Sequence, residues 1–124
     1  MSATSVVIIG AGQAGLAMSR ALSELSIEHL VLERGSIGHS WKTQRWDSLR
    51  LLTPNWANRL PGQAYESADP HGFMAAKTFA GQLDDYAQCI GAPVQVNTRV
   101  HRVNFDNQNF RVETDTGDVR CKAV

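Results

Sequence analysis

Three features of this 124-residue chain predict an α/β fold, a parallel sheet joined to a β-meander. Val6, Val7, Ile8 and Ile9 form a short β-branched run that suits a buried parallel strand. A glycine-rich turn, a helical apolar pattern and a second strand ending on Glu33 follow in immediate succession. The last quarter of the chain alternates short strand-forming runs with polar turns.

The first strand leads into Gly10, Gly12 and Gly15, spaced GxGxxG. Gly10 suits the backbone angles of a tight strand-to-helix turn. Gly12, with no Cβ, lets a pyrophosphate approach the main chain, and Gly15 lets the helix pack close to the strand. The helix N-terminus offers free N–H groups and partial positive charge to phosphates. Ala14, Ala17, Met18, Ala21, Leu22 and Leu25 recur at helical spacing and predict the inner face of that helix. The second strand, roughly 28–32, delivers Glu33, whose carboxylate can accept both ribose hydroxyls of a dinucleotide. GxGxxG alone could be a structural turn of an ordinary βαβ unit. The full register of strand, glycines, helix, strand and acid favours a Rossmann-like dinucleotide-binding unit.

A glycine-containing loop, 36–40, precedes the stretch Trp41 to Gly62, which holds all three tryptophans. With neither helical period nor strict alternation, it predicts an ordered excursion with short helical turns, of the kind that often covers a ligand. Trp46 is expected in the core and Trp41 against a ligand. Arg45 is read evenly as a solvated charge or a phosphate anchor. Residues 64–74 are expected as loop. A helix follows over 78–90, with Phe79, Leu83, Tyr86, Ala87 and Ile90 on one face, Thr78 as cap and Gly91 at its end. Strands are expected at 94–97, 99–105, 110–114 and 119–124.

Composition narrows the function classes. Apolar content of 43% and charged content of 19% suit a globular chain, and zero formal net charge gives no support for a nucleic-acid partner. No apolar run approaches a membrane span, and no basic region precedes the first apolar run as in a signal peptide. Cys89 and Cys121 are far apart, form no CxxC and are read as buried small side chains in a reduced, cytoplasmic setting. The four histidines lack metal-ligand spacing. His29 is read as structural and His39 as the one in the ligand loop. Asp84 and Asp85 are read as solvated surface.

The chain resembles the N-terminal part of the flavin-containing-monooxygenase-like oxidoreductases, two-dinucleotide enzymes of the glutathione-reductase type that use FAD and NADPH. The resemblance rests on GAGQAG at Gly10 to Gly15, the Glu33-Arg34 pair and GHSW at Gly38 to Trp41. It also rests on RWDSLRLLTP at Arg45 to Pro54, LPG at Leu60 to Gly62 and DPHGFM at Asp69 to Met74. It implies a Rossmann-like FAD-binding unit with its meander, and one small molecule as substrate. Gly10, Gly12, Gln13 and Ala14 would hold the FAD pyrophosphate, with Gly15 packing beneath them. Glu33 would bind the adenosine ribose, Arg34 would lie along adenine, and Val100 would reach adenine through its backbone. Ser40 and Trp41 would contact the middle of FAD, and Leu51 to Thr53, including Leu52, would approach the isoalloxazine.

The chain departs from the family where many members carry an asparagine, at Leu52, because leucine donates no hydrogen bond. No second glycine motif for NADPH follows Gly15. The reading is therefore one FAD-binding portion, 1–124, of a longer NADPH-dependent monooxygenase that names no catalytic residue of its own. Its expected partners are the remaining C-terminal portion or a second copy, and its last strand is expected as an exposed sheet edge. The alternatives are an FAD oxidoreductase serving another electron acceptor, or a non-catalytic dinucleotide-binding module. Glu33 permits NAD as well as FAD; GHSW, the meander and the Thr98-Arg99-Val100 element favour FAD.

Overall fold

A computed structural model of the chain describes residues 2–63 and 69–124; part of the loop expected at 64–74 lies outside them. The elements are β1 Ser2–Ala3, β2 Val6–Ile9, α1 Gln13–Glu24, β3 His29–Leu32 and α2 His39–Thr43. A 3-10 turn at Asn55–Ala57 precedes α3 Ala76–Ile90, β4 Val94–Gln95, β5 Val100–Asp106, β6 Asn109–Thr114 and β7 Gly117–Cys121. Strands β2, β3 and β4 form the expected parallel sheet, with Val6 to Ile9 in register with His29 to Leu32. Strands β5, β6 and β7 form the meander, and β1 joins β7 in parallel. The last strand is thus interior to its sheet, between β1 and β6, and the edges are the two-residue β1 and the longer β5. A further parallel bridge, Val6 to Ala123, brings the two sheets together.

Two apolar clusters hold these layers. Leu16, Val31, Phe79, Leu83, Tyr86 and Ala87 sit between α1, the parallel sheet and α3. Val7 and Leu32 meet Val112, Val119 and Cys121 of the meander.

Helix α1 buries a different face from the one its apolar spacing predicts. Leu16, Ser19 and Leu22 are buried, whereas Met18 is 51% and Leu25 70% exposed. The glycine contact and a polar pair set this rotation. A Cβ on Gly15 would lie 1.9 Å from the carbonyl oxygen of Gly10, so only a bare backbone can face the strand there. One turn on, the hydroxyl of Ser19 meets His29 Nε2 at 2.7 Å. His29 Nδ1 is 2.9 Å from the Ile27 carbonyl, which can only accept. Nδ1 therefore carries the proton and Nε2 accepts from Ser19. His29 is structural, as expected.

Helix α3 starts two residues earlier than expected. Ala75 is its N-cap with no side-chain bond, and Thr78 lies within the first turn. Gly91, at φ 63°, ends it in the left-handed conformation.

The excursion after α2 is ordered by bonds to α3 rather than by its own periodicity. The Tyr86 hydroxyl donates to the Pro61 carbonyl at 2.6 Å, and Gln82 Nε2 donates to the Asn58 carbonyl at 2.8 Å. Lys42 pairs with Asp84 at 3.0 Å, so Asp84 is a helix–helix link and not merely solvated surface. Trp46, expected in the core, is 65% exposed. Cys89 is exposed and only Cys121 is buried.

Candidate functional site

Strand β2 ends by turning its backbone at Gly10, whose φ of 104° favours glycine. The turn delivers Gly12 as N-cap of α1, with no side-chain cap, so the first amides of the helix remain available. Gly12 needs no left-handed conformation, since its φ is −93°. Among the described residues, a Cβ there would meet no atom within 4 Å beyond its own chain neighbours. Gly15 is required by packing; among the described residues nothing calls for glycine at position 12.

The end of β3 is fastened to this turn. Glu33 is only 8% exposed, and its two carboxylate oxygens accept from the backbone N–H of Ala11 at 2.9 Å and of Gly35 at 2.7 Å. Each oxygen keeps a second lone pair for an incoming hydroxyl. The Gly38 N–H donates to the Ala11 carbonyl at 3.0 Å and so ties the start of α2 to the same turn.

Two clefts meet here. One, of about 450 Å³, is lined by Gly10, Gly12, Glu33, Arg34, Ser40 and Val100. The other, of about 440 Å³ and more apolar, is lined by Gln13, Trp41, Arg45, Leu52 and Thr53. They adjoin at the peptide bonds Gly12–Gln13 and Ser40–Trp41. The structure therefore brings together eleven of the thirteen residues singled out from the sequence, sorted into two chambers. Ala14 and Gly15 line neither: Ala14 is exposed on the first turn of α1, and Gly15 lies under Gly10.

Trp41 is half-buried, edge-on to Phe79 with ring centroids 5.0 Å apart, and the Arg45 guanidinium stacks 4.5 Å over its ring. Arg45 is thus held by a cation–π contact at the mouth of the second cleft. Arg34 and Arg99 add positive charge to the first cleft, and Arg50 to the second.

His39, Gln44, Thr98 and Arg99 also line the first cleft, and Trp46, Leu49, Arg50 and Asn58 the second. Thr98 and Arg99 belong to the element that carries Val100, so their signal was adjacent. Thr98 donates its N–H to the Glu33 carbonyl at 2.9 Å, which fixes that element beside β3. Asn58 carried no local signal; it is buried and bonds Thr53 through both ends of its amide.

The shifted acidities lie elsewhere in the fold. Burial raises the Tyr86 phenol, with Arg20 opposing. Burial also raises the Cys121 thiol, against backbone hydrogen bonds from Val7 and Ala123.

Residues 7–124 match the family model for pyridine nucleotide-disulphide oxidoreductases. The chain is 39% identical over 120 residues to an uncharacterized CzcO-like oxidoreductase of Geobacillus kaustophilus, covering 96% of this chain and 34% of that protein. It is 34% identical over 111 residues to a probable indole-3-pyruvate monooxygenase of Arabidopsis thaliana, YUCCA1, covering 87% of this chain and 27% of that one. A double mutant of the flavin monooxygenase from Stenotrophomonas maltophilia superposes with a TM-score of 0.88 at 29% identity, over 98% of this chain and 37% of the other. The chain spans about a third of the length of the first curated relatives it matches.

Proposed function

Because the chain belongs to the pyridine nucleotide-disulphide oxidoreductase family, we propose that residues 1–124 form the FAD-binding portion of an FAD- and NADPH-dependent monooxygenase acting on a small molecule. Gly12 is the observation that carries this reading. Neither its φ nor its packing calls for glycine, and its bare face opens on the cleft at the start of α1. A ligand pressed against the main chain is what calls for glycine there.

The residues fit FAD in two halves. Glu33 keeps an acceptor on each oxygen for the adenosine ribose, with Arg34 and the Val100 backbone beside the adenine. The amides from Gly12 to Ala14, at the positive end of α1, hold the pyrophosphate. Ser40 and Trp41 guide the chain between the clefts. Leu52 and Thr53, with Trp41, offer the more apolar cleft to the isoalloxazine. Bound there, the flavin would supply the redox chemistry between NADPH and dioxygen, which the protein orients and tunes. The flavin monooxygenase of S. maltophilia, at 29% identity, supports the choice of FAD over NAD. Free Cys89 and Cys121 suit a reducing, cytoplasmic setting.

A second reading, electron transfer to an acceptor other than oxygen, is favoured by Leu52 alone. It is 93% exposed at the second cleft and has no donor. Oxygen incorporation into product separates the two readings in the longer enzyme.

The test of the site is titration of the purified chain with FAD, followed by flavin fluorescence, with NAD as competitor. Saturable FAD binding that NAD does not displace is expected. Displacement by NAD, or no saturation, would overturn the assignment.

A further inference from the structure

The meander has two unlike faces. The cross-strand pairs Val103–Val112, Phe105–Phe110 and Phe110–Cys121 line one face with apolar groups. Arg102–Glu113, Arg111–Arg120 and Glu113–Asp118 line the other with charge. Val112 and Cys121 are buried on the core, but the apolar face runs out past it, leaving Val103 39% and Phe105 67% exposed. Both lie on β5, and among the described residues no strand pairs with its outer side.

The hairpin fixes which backbone groups face outward. Asp106 and Asn109 flank a two-residue turn whose Asn107 and Gln108 have φ of 50° and 66°. That is the type I′ geometry, in which the flanking residues exchange hydrogen bonds. The antiparallel alternation then turns the N–H and C=O of Asn104 and Asp106 toward β6. Those of Val103 and Phe105 point away from it.

The geometry points to a second copy of this chain as the partner of that edge, paired antiparallel about Asn104. In this register Val103 lies opposite the partner's Phe105 and Phe105 opposite the partner's Val103. These are the outward-facing residues, so each pair exchanges backbone hydrogen bonds. On the other face Arg102 lies opposite the partner's Asp106, and Asp106 opposite the partner's Arg102. Opposite charges directly across a pair favour it, and apolar pairs add to it. Shifting the register by two residues either way sets Asn104 against Arg102 or Asp106 and loses both ion pairs. The sequence of β5 is therefore self-complementary in one register. The contact is short, so the dimer is weak and concentration-dependent.

The test uses the purified chain with Cys89→Ser. Sedimentation velocity should show a dimer that grows with concentration. Arg102→Asp or Asp106→Arg alone should weaken it, and the two together should restore it. At the two-fold axis Asn104 faces the partner's Asn104 in a non-hydrogen-bonded pair, with Cα atoms about 4.5 Å apart, within disulfide reach. Asn104→Cys should therefore cross-link on oxidation, and Val103→Cys should not. Thermal melts of each variant check that the fold is intact. A monomer at every concentration, a dimer indifferent to the charge reversals, or cross-linking at position 103 in preference to 104 would each overturn the proposal.

Discussion

The carboxylate of Glu33 accepts the backbone N–H of Ala11 across 22 residues of sequence, at 2.9 Å. With the Gly35 bond, it closes the glycine turn onto the end of β3 before any ligand arrives. Glu33→Ala leaves the buried Ala11 amide unpaired, at about 1–3 kcal/mol, and releases the half-buried Gly35 amide. Glu33→Gln keeps one acceptor and loses the other. Calorimetric melting should rank the proteins wild type, Glu33→Gln, Glu33→Ala, and flavin titration should rank affinity the same way.

Gly12 and Gly15 should part company under substitution. The Cβ of Gly12→Val meets open space among the described residues, so its melting temperature should stay near that of the wild type while FAD binding is lost. Gly15→Ala would set a Cβ 1.9 Å from a backbone oxygen. Its melt should fall by several degrees at least, about 1–3 kcal/mol for a backbone that must shift. Equal destabilisation of the two variants would refute the division of roles.

Two of the three tryptophans, Trp41 and Trp46, line the second cleft. FAD should quench the fluorescence of both. Trp41→Phe and Trp46→Phe should each reduce that quenching, and Trp56→Phe should leave it unchanged.

Alkaline pH should destabilise the chain. Burial raises both the Tyr86 phenol and the Cys121 thiol, so each is held neutral in the fold while its unfolded form ionises. Stability is full below the unfolded values, near 9 for the thiol and 10 for the phenol. It is lost as pH rises through the raised, folded ones. Tyr86→Phe loses the bond to the Pro61 carbonyl, about 0.5–1.5 kcal/mol. It should also flatten the decline above pH ~10, seen as a smaller drop in melting temperature.

What the sequence makes legible is local. The glycine spacing and the meander turns each act over a few residues and stand where expected, and Glu33 stands at the end of β3 as expected, although its bond to Ala11 is long-range. Helix α1 shows where local pattern fails. Its Met18 and Leu25 have the right spacing for a buried face, yet Gly15 and Ser19 set the rotation through contacts with Gly10 and His29. A serine gives no sign of burial until its histidine partner is known. The excursion is similar: Asn58, Pro61 and Gln63 are held by Gln82 and Tyr86 of a later helix. Trp46, judged by its hydrophobicity, belongs in a core; it stands instead at the open second cleft, largely exposed.

The contrast between Gly12 and Gly15 also bears on descent. A lineage that stopped binding its ligand would still need Gly15, because without it the helix cannot seat on the strand. On the proposed FAD reading, nothing among the described residues would then hold position 12, and drift would fill it. Among descendants of this chain, the residue at position 12 would separate working copies from relics that keep only the shape.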